Sequence, residues 1–147
     1  MHAVADGSTS GSRLVGVPLS PEECWDRLRS ASIGRVSLSV GALPRIIPCI
    51  YAVLDDSIVF RAEPGTPLAM AAGGTVVAFE AGELEPATGE GWTVTIQGIS
   101  HGVNRPDLRA RIDSLELPVI TGNPAEDCIL CLPATAIAGH AYTYVSP

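Results

Sequence analysis

The chain has 147 residues, 46% of them apolar, a net charge of −7 and a positive mean hydropathy. That length supports one domain with a sizeable core, and that composition excludes a disordered chain. All nine basic residues are Arg, and scattered guanidinium groups on an acidic chain give no footprint for nucleic acid or an anionic lipid surface.

Residues Met1 to Ser12 hold neither an apolar core nor a basic stretch, so they read as a polar tail and not as a secretory signal. The expected organisation is a flexible tail over residues 1–17 and a single domain over 18–147. No apolar run approaches the length that spans a bilayer, and the expected location is the cytoplasm.

A helix starts at Ser20-Pro21-Glu22-Glu23: Ser20 caps it, Pro21 fits its first position and Glu23 completes a capping box. Cys24, Trp25 and Leu28 give it one apolar face as far as about Ser30. After Gly34, Val36, Leu38 and Val40 alternate with Arg35, Ser37 and Ser39, the pattern of a half-buried strand. The turn Gly41-Ala42-Leu43-Pro44 leads into a more continuously apolar strand from Arg45 to Leu54. Pro48 inside it predicts an edge, a bulge or backbone left free for a ligand.

Asp55-Asp56 closes a hairpin into the strand Ser57–Arg61. The turn containing Gly65 and Thr66 precedes a short helix, Leu68 to Ala72, and a strand follows over Thr75–Glu80. A Pro/Gly loop, Glu85–Gly91, leads to a strand over Trp92–Val103. Arg105-Pro106-Asp107 starts a second helix with Leu108, Ile112 and Leu115 on one face. A loop runs from Leu117 to Glu126, and Cys128–Leu132 and Thr135–Val145 are the last strands. Six or seven strands at hairpin spacing with three short helices imply a mainly β fold, an antiparallel barrel or sandwich.

Cys128-Ile129-Leu130-Cys131 has the spacing of a redox pair, but in a strand residues three apart point to opposite faces, so packed thiols are expected and no metal site is assigned. His101 and His140 have no patterned nucleophile or carboxylate beside them and read as packing or solvated residues. Glu80, Glu83 and Glu85 read as a solvated edge. Trp92 reads as core before it reads as a stacking platform. A glycine turn, the Thr66 hydroxyl and Arg61 at the preceding strand end together match a phosphate cradle. Taken alone, Arg61 is a surface residue paired with Glu63 or Glu80.

In order, the stretches Glu23–Leu28, Ile33–Val36, Leu43–Pro48, Ser57–Arg61 through Gly65-Thr66, Thr75–Glu80 and Gly91–Val94 resemble the pyridoxamine 5′-phosphate oxidase-like flavin proteins, especially a short actinobacterial branch. The likeness covers roughly residues 18 to 140. It implies an antiparallel FMN-binding split barrel, a homodimer with the site completed across its interface, and oxidoreductase chemistry on a small molecule. The cofactor-binding residues it implies are Arg45, Pro48, Cys49 and Ile50 along the ring, Arg61, Ala62, Gly65 and Thr66 at the phosphate, and Thr93. No catalytic acid or base follows from it.

Three cationic positions depart from the family pattern. Pro67 stands where Lys usually follows the turn's Thr, and Cys131 stands where a basic residue is usual. Gly139-His140-Ala141 replaces a Gly-Arg-Arg run. These changes leave a second reading, a cofactor-free or non-enzymatic binding protein on the same scaffold, and a third, a deazaflavin or haem binder.

Overall fold

Strand alternation rolls this chain into a barrel. The computed structural model describes residues 11–147, so residues 1–10 of the expected tail lie outside the described residues. Strands β1 (Arg13–Pro18), β2 (Ile33–Val40), β3 (Leu43–Leu54) and β4 (Ser57–Ala62) are followed by β5 (Gly73–Leu84), β6 (Gly91–Gly102), β7 (Cys128–Pro133) and β8 (Ala136–Val145). Helices α1 (Pro21–Arg29) and α2 (Pro106–Asp113) and a 3-10 turn at Leu68–Ala72 complete the elements. All pairings are antiparallel, and β6–β5–β2–β3–β4–β7 closes on itself through a β6–β7 pairing. This is the expected barrel, with β8 and β1 added as an outer extension.

The extension creates the split. One edge of β6 pairs with β8 from Gly91 to Gln97 and then passes to β7 at His101 and Gly102. Gly98 sits at the changeover, where a Cβ would lie 2.3 Å from the Pro133 carbonyl oxygen, so only glycine lets the chain pass. The tail boundary at residue 17 needs correction, because Arg13–Pro18 pairs with His140–Val145. This strand is almost wholly exposed and lacks a buried alternating face, so its backbone ladder had no counterpart in the hydrophobic pattern.

Alternation fills the barrel as expected. Val36, Val77, Val94, Ile96, Phe60 and Phe79 point inward and are essentially buried, and Val40 at the strand end is half-buried. Each fully buried Ile or Phe contributes about 1.5–3 kcal/mol. Helix α1 packs Cys24, Trp25 and Leu28 against this interior. Its capping box is formed: the Glu23 amide donates to Ser20 Oγ at 3.1 Å, and the Ser20 amide donates to Glu23 Oε1 at 2.9 Å. Trp92 is core, 4% exposed.

A second, smaller cluster lies on the outer face of β4 and β7. There Val59, Ile129 and Cys131 are covered by Val103, Ile112 and Leu117. Cys131 belongs to this cluster, whereas Cys128 packs against the barrel interior, so the two side chains lie on opposite faces and both thiols are free.

Candidate functional site

The site begins where two strands part. Strands β3 and β4 are paired only from Tyr51 to Leu54 against Ser57 to Phe60. Upstream, β3 keeps β2 on one side, while Arg61 and Ala62 pair with β7, so an edge of β3 is left open. The Tyr51 amide donates to the Ser32 carbonyl at 2.9 Å, on the β2 side. By strand alternation the Pro48 nitrogen and the Ile50 amide face the open edge. Pro48 therefore costs no ladder bond, which explains a proline inside a long strand.

A cleft of about 540 Å³ occupies this gap. One wall is Ile47, Pro48, Cys49 and Ile50 with Ile33 beside them; another is Arg61, Ala62, Glu63, Thr66 and Leu68. The loop after α2 supplies the third, through Leu117, Pro118 and Ile120. The volume falls within the roughly 300–1,000 Å³ typical of small-molecule sites, and the lining is mostly apolar.

Six of the residues named from sequence meet here: Pro48, Cys49, Ile50, Arg61, Ala62 and Thr66. Three do not line the cleft. Arg45 is exposed nearer the start of β3. Gly65, at φ +81°, forms the adjacent turn, where a Cβ would meet nothing within 4 Å. Thr93 lies on β6, where its hydroxyl and that of Tyr142 are 3.3 Å apart.

Cys49 is a packing group in this wall. Burial pushes its thiol up to about 12 against a small opposing pull from Arg35, so it stays neutral near pH 7 and is a poor nucleophile. Tyr51 behind it is likewise pushed up to about 12, chiefly by burial, and donates to the Leu28 carbonyl at 2.7 Å. Thr66 turns inward on its own loop, its hydroxyl donating to the Glu63 carbonyl at 2.6 Å.

Arg61 differs most from its reading as a surface residue. It is 6% exposed, and its partners are neither Glu63 nor Glu80, the latter being held by Arg35 at 2.9 Å. One guanidinium nitrogen donates to Asp113 Oδ1 at 2.8 Å, and another reaches Asp127 Oδ2 at 3.5 Å. Asp127 is buried and also accepts from the amides of Ile120 and Thr121 and from the Thr121 hydroxyl, at 2.9, 2.9 and 2.6 Å. Burial raises the Asp127 pKa, but the bonds from Thr121 and Ile120, with the Arg61 charge, outweigh it and hold the carboxyl below its ordinary value. The network ties the loop that carries Ile120 to β4. Sequence reading missed both aspartates; nothing in their spacing marks them as partners of Arg61.

The cleft therefore fits one part of a flavin better than the other. A planar ring finds apolar walls and a free strand edge. For a phosphate, the one cation among the described lining residues is already shared by two carboxylates, one on each terminal nitrogen, and its Nε is buried without a partner. An atom closed to water in the cleft is equally closed to a phosphate oxygen there. Among the described residues, no group of three His, Cys, Asp or Glu gathers as a metal site.

A cleft beside the open edge of a closed six-stranded antiparallel barrel marks the split-barrel class, and comparison with known proteins gives its family. The profile described as pyridoxamine 5′-phosphate oxidase matches residues 20–146. The uncharacterized protein Rv0080 of Mycobacterium tuberculosis is 30% identical over 128 residues, 84% of this chain and 83% of that protein. The chain belongs to the pyridoxamine 5′-phosphate oxidase family. Among solved structures, the FAD binding protein from Mycobacterium smegmatis matches with a TM-score of 0.75 and 29% identity, over 88% of this chain and 98% of that one. A FAD-binding protein from Mesorhizobium loti, at 18% identity, shares the fold with a TM-score of 0.74 over 89% of this chain and 99% of its own.

Proposed function

We propose that this chain binds a flavin, FMN in the reading its resemblance implies, and serves as a cytoplasmic oxidoreductase acting on a small molecule. The observation that carries the reading is the cleft along the unpaired edge of β3, with Ile47–Ile50 on one side and Leu117–Ile120 opposite. Near-complete coverage of a FAD binding protein at 29% identity adds support. A bound flavin supplies the hydride chemistry. The protein's part is to seat the ring on Pro48, Cys49 and Ile50 and to exclude water with apolar walls.

We further propose a homodimer. The outer face of β2, β3, β5 and β6 exposes Ile33, Ile46, Ile50, Val76 and Ile99, all at least 46% accessible. Ile33 and Ile50 also line the cleft, so a second copy on this face would border the site. The charge balance at Arg61 favours a second reading, a cofactor-free protein that holds an apolar molecule in the same cleft. An absorption spectrum of the purified protein, before and after addition of FMN or FAD, separates the two. Flavin bands that stay with the protein through gel filtration are expected; a colourless protein that leaves both flavins free overturns the flavin reading.

A further inference from the structure

We infer that the cleft selects the uncharged ring system of a flavin and gains nothing from its phosphate, so that riboflavin binds at least as tightly as FMN. This inference rests on the flavin reading above. Its basis is the state of Arg61, the one cation among the residues lining the cleft. One terminal nitrogen is bonded to Asp113 at the end of α2, which borders a separate hollow with Arg109, Asn123, Pro124 and Ala125. Asp127 takes a second guanidinium nitrogen from the loop side, and Nε is sealed.

One guanidinium therefore faces two carboxylates, and exposed Glu63 adds a third at the cleft wall. A phosphate dianion placed beside the Glu63–Thr66 turn meets the exposed Glu63 carboxylate, with the Arg61 charge already shared by two carboxylates. The turn's hydroxyl is spent on the Glu63 carbonyl, and Pro64 and Pro67 bring no amide donors. A guanidinium free to grip phosphate improves affinity by about tenfold or more. Here that gain is absent, while the ring keeps the apolar walls of Ile33, Ile47, Ile50 and Leu117.

The test is fluorescence titration of the full chain with riboflavin and with FMN at low and high salt. Riboflavin is expected to bind as tightly as FMN or a few-fold tighter, and added salt should improve FMN alone. Pro67→Lys should tighten FMN about fivefold or more and leave riboflavin unchanged, because it adds the one missing cation beside the turn. Glu63→Gln should move FMN in the same direction by a smaller factor. FMN binding tenfold tighter than riboflavin in the unmodified protein overturns the inference and leaves the flavin reading intact. Failure of both flavins to bind overturns the two together.

Discussion

Replacing Arg61 by Met tests whether this residue holds the fold or a ligand. Met keeps most of the side chain's length and apolar stem but removes the charge, leaving Asp127 ionised in a fully buried position. Breaking one side of a buried pair costs about 3–5 kcal/mol, most of it for the charge left behind. Asp127 keeps three other donors and Asp113 is half exposed, so the loss belongs near the lower end, about 3 kcal/mol. For a domain of this size that lowers the melting temperature by roughly 10 °C. Adding Asp127→Asn removes the stranded charge, and the double variant should recover about 1–2 kcal/mol relative to Arg61→Met alone. Thermal unfolding followed by circular dichroism measures all three proteins. A single variant that melts within about 2 °C of the parent, yet loses FMN affinity tenfold, would refute the clamp and return Arg61 to the ligand.

The remaining expectations concern acid, core, seam and assembly. Because the Asp127 pKa is depressed by folding, its contribution to stability is complete above the unfolded carboxylate value near about 3.9 and is lost as pH falls through the lower folded value. Urea midpoints at pH 6 and pH 3 should thus differ less in Asp127→Asn than in the parent. Phe79→Ala empties the barrel centre, where the ring is fully buried and meets Tyr51 edge-on at 4.9 Å, and should cost about 3–5 kcal/mol in denaturant unfolding. Gly98→Ala must push against the Pro133 carbonyl and should cost about 1–3 kcal/mol, read from the same transition. Sedimentation should give a dimer that Ile46→Glu with Val76→Glu converts to monomer; a monomeric parent at micromolar concentration contradicts the proposed assembly.

Much of the barrel was legible because its signals are local. The Ser20–Glu23 capping box, the alternation around Val36 and Val94, and the Asp55-Asp56 turn each need only a few neighbouring residues. The strand face also separated Cys128 from Cys131 correctly. β1 was missed because an exposed edge strand is held by backbone pairing across the chain and leaves no apolar period. β5 runs on to Leu84, beyond Glu80, because its partner β6 supplies a ladder where hydrophobic alternation has ended. The cleft was partly readable: Pro48 within an apolar strand marked the open edge. The Arg61 partners were not readable, since Asp113 and Asp127 come from 52 and 66 residues away. Electrostatic partners at that separation depend on how α2 and its loop dock, and no short-range pattern encodes that.

The closing joint of the barrel is also its thinnest. β6 and β7 share only the pairs His101–Cys131 and Gly102–Leu130, extended by one bond from the Val103 amide to the Ile129 carbonyl at 2.8 Å. Every other joint in the ring has at least three residue pairs, and β5–β6 has a ladder along its whole length. The seam is thus the joint with the fewest backbone bonds to break, and it leans on the packing of Val103 against Ile129 and Cys131. Opening it would swing β4 and β7 outward as one flap, carrying the Asp127 loop through its Arg61 tether. That flap carries Arg61 and Ala62 of one cleft wall and, through Asp127, the loop of another. Amide protons at Val103 and its neighbours would then record transient gaping of the cleft, before global unfolding exchanges the barrel interior.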